Sequence, residues 1–193
     1  LFQLSAIGAY TEVDGEASLF LFASLVAPLG GPPYCFITGI AGGFGFNRAL
    51  PPPGLLTDHP FIKVMRGEIP MGNGDAASLA TISGLFAAQA GTYWIAGGIQ
   101  FTSFGLIQGK VIVAVQFGNK SAFNLLGLAA LGISPVAYFE LGIEVTADEE
   151  KFLLKAGLSK NSYIIHPDIF SLQGDFGLGI WYASPHSGDF ILS

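Results

Sequence analysis

Three histidines, His59, His166 and His186, each stand beside a proline with an aspartate close in sequence, Asp58, Asp168 and Asp189. Imidazole and carboxylate are the parts of metal sites and of base-assisted nucleophilic catalysis. Either chemistry needs two of these pairs to converge, and no H-E-x-x-H spacing puts two histidines on one helix face. They read as loop histidines in proline turns. No G-x-S-x-G elbow activates a serine, and Cys35 has no basic sequence neighbour to lower its pKa, so it reads as a small core residue. Glu140 and Glu144 share one strand face, a spacing open to an acid/base pair but more simply a solvated face. Asp175, set between Gly174 and Phe176, would need a partner if it were buried. No catalytic, cofactor-binding or metal-binding residue is assigned, and no cofactor is expected.

Glycines supply the other candidate. Gly39, Gly42, Gly43 and Gly45 lack dinucleotide spacing and the Lys-Ser/Thr of a P-loop, and they sit inside a strand pattern. Between residues 34 and 48, Tyr34, Phe36, Ile40, Phe44 and Phe46 alternate with Gly39, Ala41, Gly43 and Gly45, so one face packs aromatics and the other admits a close neighbour. The same asymmetry returns near the end, where Leu172, Phe176, Leu178, Ile180 and Tyr182 oppose Gly177 and Gly179. The candidate close-packing or apolar-ligand face therefore comprises Gly39, Gly43, Gly45, Phe36, Phe44, Phe46, Gly177 and Gly179.

The elements that must position these residues are mostly strands. Residues 17–26 are apolar on both faces, and Pro28, Gly30, Gly31, Pro32 and Pro33 then force a turn. Residues 50–74 lose all periodicity and read as an irregular Pro/Gly-rich excursion. A helix is expected over about 75–90, capped by Asp75, with Leu79, Ile82, Leu85 and Phe86 at helical spacing and Gly91 as its exit. Strands follow at 93–101 and 110–117, and 123–133 is apolar but of open type. The clearest amphipathic strand is 138–146, with Phe139, Leu141, Ile143 and Val145 expected inward and Glu140 and Glu144 outward. It pairs with 151–159 through a four-residue loop, which sets Glu144 near Lys151 and Lys155. The fold class is mainly β: a strongly curved antiparallel sheet or sandwich with one amphipathic helix packed on it.

With 193 residues, a single β-rich module over 1–193 is expected. Hydrophobic residues make up 51% and charged residues 11%, so much of the surface must be hidden or belong to something larger. A net charge of −6 with 8 scattered Lys and Arg leaves no basic patch for phosphates, so no nucleic-acid partner is expected. Gly and Pro interrupt every candidate for a spanning helix. Both ends look like excerpted sequence, which reads as a piece of a longer polypeptide.

Several strings carry a resemblance: Gly39-Ile40-Ala41-Gly42-Gly43-Phe44-Gly45-Phe46-Asn47-Arg48, Tyr93-Trp94-Ile95-Ala96-Gly97-Gly98, Phe139-Glu140-Leu141-Gly142, Asn161-Ser162-Tyr163, Leu172-Gln173-Gly174-Asp175-Phe176 with Trp181, and Ser187-Gly188-Asp189-Phe190. From Tyr34 to the end the chain resembles a section of large β-rich bacterial and fungal proteins grouped as DUF6603-like, a domain of unknown function. The resemblance implies a section of a longer β protein and brings no catalytic residues. The expected function is a non-enzymatic β-scaffold or assembly module with an apolar concave groove for a lipid-like ligand. Its expected partners are the remainder of the parent polypeptide or further copies of itself through sheet edges. A fragment of an outer-membrane β-barrel is the alternative, and an enzyme is the weakest reading.

Overall fold

A computed structural model of the chain describes residues 2–51, 59–66, 84–133, 136–166, 168–183 and 185–193. Its strands are β1 (Gln3–Val13), β2 (Glu16–Gly30), β3 (Phe36–Arg48), β4 (Ala88–Ser103), β5 (Ile107–Gly118), β6 (Ala122–Ile133), β7 (Ala137–Asp148), β8 (Lys151–Leu158), β9 (Tyr163–Ile164), β10 (Gly174–Trp181) and β11 (Phe190–Leu192). A short helix, α1 (Pro60–Arg66), lies between β3 and β4. All eleven strands form one antiparallel sheet in the order β1-β2-β3-β4-β5-β6-β7-β8-β10-β11, with β9 added to β7. Most strands pair with their sequence neighbours through short turns, while β3 and β4 pair across the long connection that carries α1. The sheet does not close, so the described chain is not a barrel.

The sheet is bent around α1. The helix packs on β1 and β2, and the Ser24 hydroxyl donates to the Val64 carbonyl at 3.4 Å. The Met65 carbonyl accepts from Gln100 of β4 at 3.2 Å and Lys110 of β5 at 3.0 Å, while Arg66 meets Glu140 of β7 at 2.6 Å. In a flat sheet β1 and β7 would stand about 29 Å apart. A seven-residue helix is about 10 Å long. Only a curled sheet brings both strands within its reach, so the face that carries α1 is the concave one.

The core fills that concavity. Phe61 of α1 stacks on Phe22 with ring centroids 4.4 Å apart and lies 5.4 Å from Trp94 and 5.5 Å from Phe86, which in turn stacks on Phe20 at 4.3 Å. Ile7, Ile112, Leu126 and Leu128 complete one cluster that runs from β1 to β6. Asn47, at φ 52°, staples three strands at the rim of this core: its amide donates to the Ala17 carbonyl at 2.9 Å and accepts from the Gly91 amide at 2.8 Å.

Several expectations need correction. The 50–74 excursion contains a helix at 60–66, whose Pro60 presets the first turn. Of the helix expected over 75–90, residues 75–83 lie outside the described residues, Gly84 and Leu85 are helical, and Ala88–Ala90 already belong to β4, where Ala88 pairs with Arg48. Segment 123–133 is strand β6. The β7–β8 loop is two residues, Glu149 and Glu150, because β7 runs on to Asp148; Glu144 then faces Lys155 directly.

Candidate functional site

The polarity of the sheet faces is the reverse of the expected one. Glu140 and Glu144 are 4% and 3% exposed on the concave face, whereas Leu141 and Ile143 stand on the convex face in the open. A charged residue on an alternating strand ordinarily marks the wet side, but here the concave interior supplies the partners that burial demands. Arg66 reaches Glu140 from α1, the Tyr138 hydroxyl donates to the same carboxylate oxygen at 3.2 Å, and the Glu140 amide donates to Ser162 at 3.0 Å. Burial, and next the Glu140 charge, push the Tyr138 phenol above its ordinary value. This carboxylate is held by structural partners. Asp175, by contrast, is exposed and needs none.

Registers extend the convex face across the whole sheet. One row of directly opposed residues runs Leu21, Phe44, Ile95, Val115, Phe123, Ala147, Phe152, Ile180, Phe190. The next runs Ala23, Gly42, Gly97, Val113, Leu125, Val145, Leu154, Leu178, Leu192, and a third holds Leu25, Ile40, Ile99, Val111, Ile143 and Phe176. No charged, amide or hydroxyl side chain interrupts these rows. Tyr93, tilted against Phe46 at 5.1 Å and stacked on Phe117 at 5.8 Å, closes one end of the band. Along β5 to β7 the apolar face is 9–11 residues deep, comparable with the apolar stretch of a membrane-spanning strand.

The residues singled out from the sequence fall on both sides of this wall. Phe44 and Phe46 belong to the convex face. Gly39, Gly43 and Gly45 belong to the concave one, where a Cβ on Gly45 would collide with the Trp94 indole and one on Gly43 would meet the Leu21 carbonyl and the Phe22 Cα. Phe36 does not join Phe44: an extra residue, Thr38, shifts the register between Ile37 and Gly39, so Phe36 opposes Thr102 and has changed face. Gly177 and Gly179 are concave, and a Cβ on Gly179 would lie 2.7 Å from the Trp181 ring. An isolated glycine beneath an aromatic ring is thus the recurring device that keeps this face close-packed.

The whole chain, residues 1–193, matches the family described as a family of unknown function, DUF6603. The chain belongs to DUF6603. No curated protein and no solved structure matches it. For this DUF6603 chain the histidines do not converge. His59 is buried beside α1, where desolvation lowers its pKa to about 4 and its Nδ1 accepts from the Phe61 amide at 3.3 Å. His166 and His186 are exposed, each beside its own aspartate at 3.4 and 3.2 Å. His186 and Asp189 line a cavity of about 520 Å³ with Trp181, Phe190 and Ile191. No group of three potential metal ligands forms among the described residues. Sequence reasoning missed the convex wall because each strand shows only one slice of it; the usable signal was the run of polar residues at alternate positions of β7, Glu140, Glu144 and Thr146, which share the buried face with Asn124 of β6.

Proposed function

We propose that this DUF6603 module is a non-enzymatic β-scaffold whose convex face is a wall for hydrocarbon, the acyl chains of lipid. The observation that carries the reading is the row structure of that face. Its extent is on the order of 1,000 Å². A protein partner of that footprint is ordinarily held by roughly five to ten hydrogen bonds. The three rows offer no side chain to make them, and hydrocarbon requires none. The polar groups are instead turned inward onto α1, which is the arrangement of a lipid-facing β-sheet. The sheet is open, so the module is a wall and not a pore. No helix among the described residues is long and apolar enough to cross a membrane.

The test is a charge placed in the wall. Ile95→Glu combined with Val113→Glu should leave far-UV circular dichroism unchanged and abolish binding of a spin-labelled fatty acid and co-purification of lipid in native mass spectrometry. Unchanged binding in the folded double variant overturns the reading.

A second reading rests on a different feature. The outer edge of β1, eleven residues long, has no strand beside it among the described residues, so further copies or more of the polypeptide could add there. This edge supports an assembly role alongside the hydrocarbon wall.

A further inference from the structure

The two ends of the sheet differ in chemistry. In an antiparallel meander alternate turns lie at the same end, so the β1–β2, β5–β6, β7–β8 and β10–β11 turns form one rim and the β2–β3, β4–β5 and β6–β7 turns form the other. The first rim collects Glu12, Asp14, Glu16, Asp148, Glu149, Glu150 and Asp189, with Lys120 and Lys151. The second carries Leu29, Tyr34, Phe104, Leu106, Ile133 and Val136, all between 49% and 69% exposed. Hairpin tips are normally polar. The exposed charged groups at this second end, Lys160, His166 and Asp168 in the β8–β10 connection and Asp175 at the start of β10, all stand off the three tips.

Backbone bonds also tie parts of the apolar rim to one another. The Phe104 amide donates to the Pro33 carbonyl at 2.6 Å, tying the β4–β5 tip to the β2–β3 tip, and the Ile165 amide donates to the Val136 carbonyl at 2.5 Å, tying the β8–β10 connection to the β6–β7 tip. Leu106 and Val136 donate to Ser103 and Ile133 at 3.0 and 2.7 Å within their own turns. Water satisfies such amides without cost, but hydrocarbon does not, and only internally bonded backbone enters it.

From this segregation we infer that the apolar rim is a bilayer-entering end: the tips at Leu29–Tyr34 and Phe104–Leu106, together with Ile133 and Val136, insert into a phospholipid membrane while the acidic rim stays in water. The inference rests on the hydrocarbon-wall reading and adds its direction. The wall then stands along the membrane normal, apolar end first. An acidic rim at the leading end would meet headgroup phosphates and be repelled; at the trailing end it meets only solvent.

The test uses the 193-residue chain with phosphatidylcholine vesicles. Phe104→Cys and Glu149→Cys, each in a Cys35→Ser background, receive an environment-sensitive fluorophore. Support is flotation with the vesicles, a blue shift and loss of aqueous iodide quenching at position 104, and retained iodide quenching at 149. Flotation with 104 still quenched, or with both positions shielded, overturns the direction and leaves the wall intact. Failure to float while spin-labelled fatty acid still binds overturns membrane entry alone; failure of both removes the wall reading with it. Phe104→Glu with Leu106→Glu serves as an independent check, since with unchanged circular dichroism it should abolish flotation and spare fatty-acid binding, and flotation like the parent chain counts against the inference.

Discussion

Gly45 has no room for a side chain, because the Trp94 indole lies where its Cβ would be, and Gly43 is pressed by the β2 backbone. Gly45→Val should therefore destabilise the fold by about 1–3 kcal/mol, with Gly43→Val of similar size, read as a lower urea midpoint at constant slope. Arg66 and Glu140 form the charge pair that fixes α1 to β7, with side chains 15% and 5% exposed. Removing one partner of a buried pair leaves the other uncompensated, so Arg66→Met should cost about 3–5 kcal/mol, and Arg66→Met with Glu140→Gln should recover part of that loss in the same unfolding experiment. His59 gives the fold a pH dependence. Burial lowers its pKa from 6.5 to about 4, so the unfolded chain takes up a proton that the folded chain refuses. Its contribution is fully present above pH 6.5 and is lost as pH falls toward 4, up to about 3 kcal/mol. His59→Gln should flatten the wild-type stability curve across that window, measured by urea unfolding at a series of pH values.

At the scale of the element, adjacent residues of β4 separate the two faces. Trp94 is fully buried and Ile95 is 56% exposed. Trp94→Ala should cost about 3–5 kcal/mol, whereas Ile95→Thr should stay within about 0.5 kcal/mol; a large effect at Ile95 would mean that the convex face is the folding core. The strands themselves were legible, since period-two alternation is printed in the sequence of β3, β4, β5 and β7. Which side faced inward was not. Alternation defines two faces without naming the core, and the rule that carboxylates face water assigned Glu140 and Glu144 wrongly because the cation that meets Glu140, Arg66 of α1, lies 74 residues away in sequence. The helix α1 was hidden by its length, as seven residues make too few turns for a periodic signal. The bulge at Thr38 was equally silent, since one extra residue moves Phe36 across the sheet without altering composition. The bulky-against-small alternation from Gly39 to Phe46 was read in the sequence as it stands in the structure, with Gly43 and Gly45 on one face and Phe44 and Phe46 on the other.

For the whole molecule, an open sheet with an apolar convex face and a β1 edge that has no neighbour among the described residues should not remain a dilute monomer in water. Sedimentation at several concentrations should show association that detergent reverses, and a monomer persisting at high concentration without detergent would count against the wall and the edge together. The order of the strands has a consequence for how the chain acquires its shape. Because most strands pair with the one before them, contacts within those hairpins are near in sequence, a topology that favours stepwise growth of the sheet hairpin by hairpin, whereas β3 and β4 meet across the long connection that carries α1. The interior filler, however, is encoded between β3 and β4. As the ribosome delivers the chain, the first three strands can zip together but have nothing to curl around; Phe22 waits for Phe61 and Phe20 for Phe86, and β4 follows only after α1 has emerged. The position of one short helix in the gene thus sets the moment at which a flat ribbon becomes a curved shell.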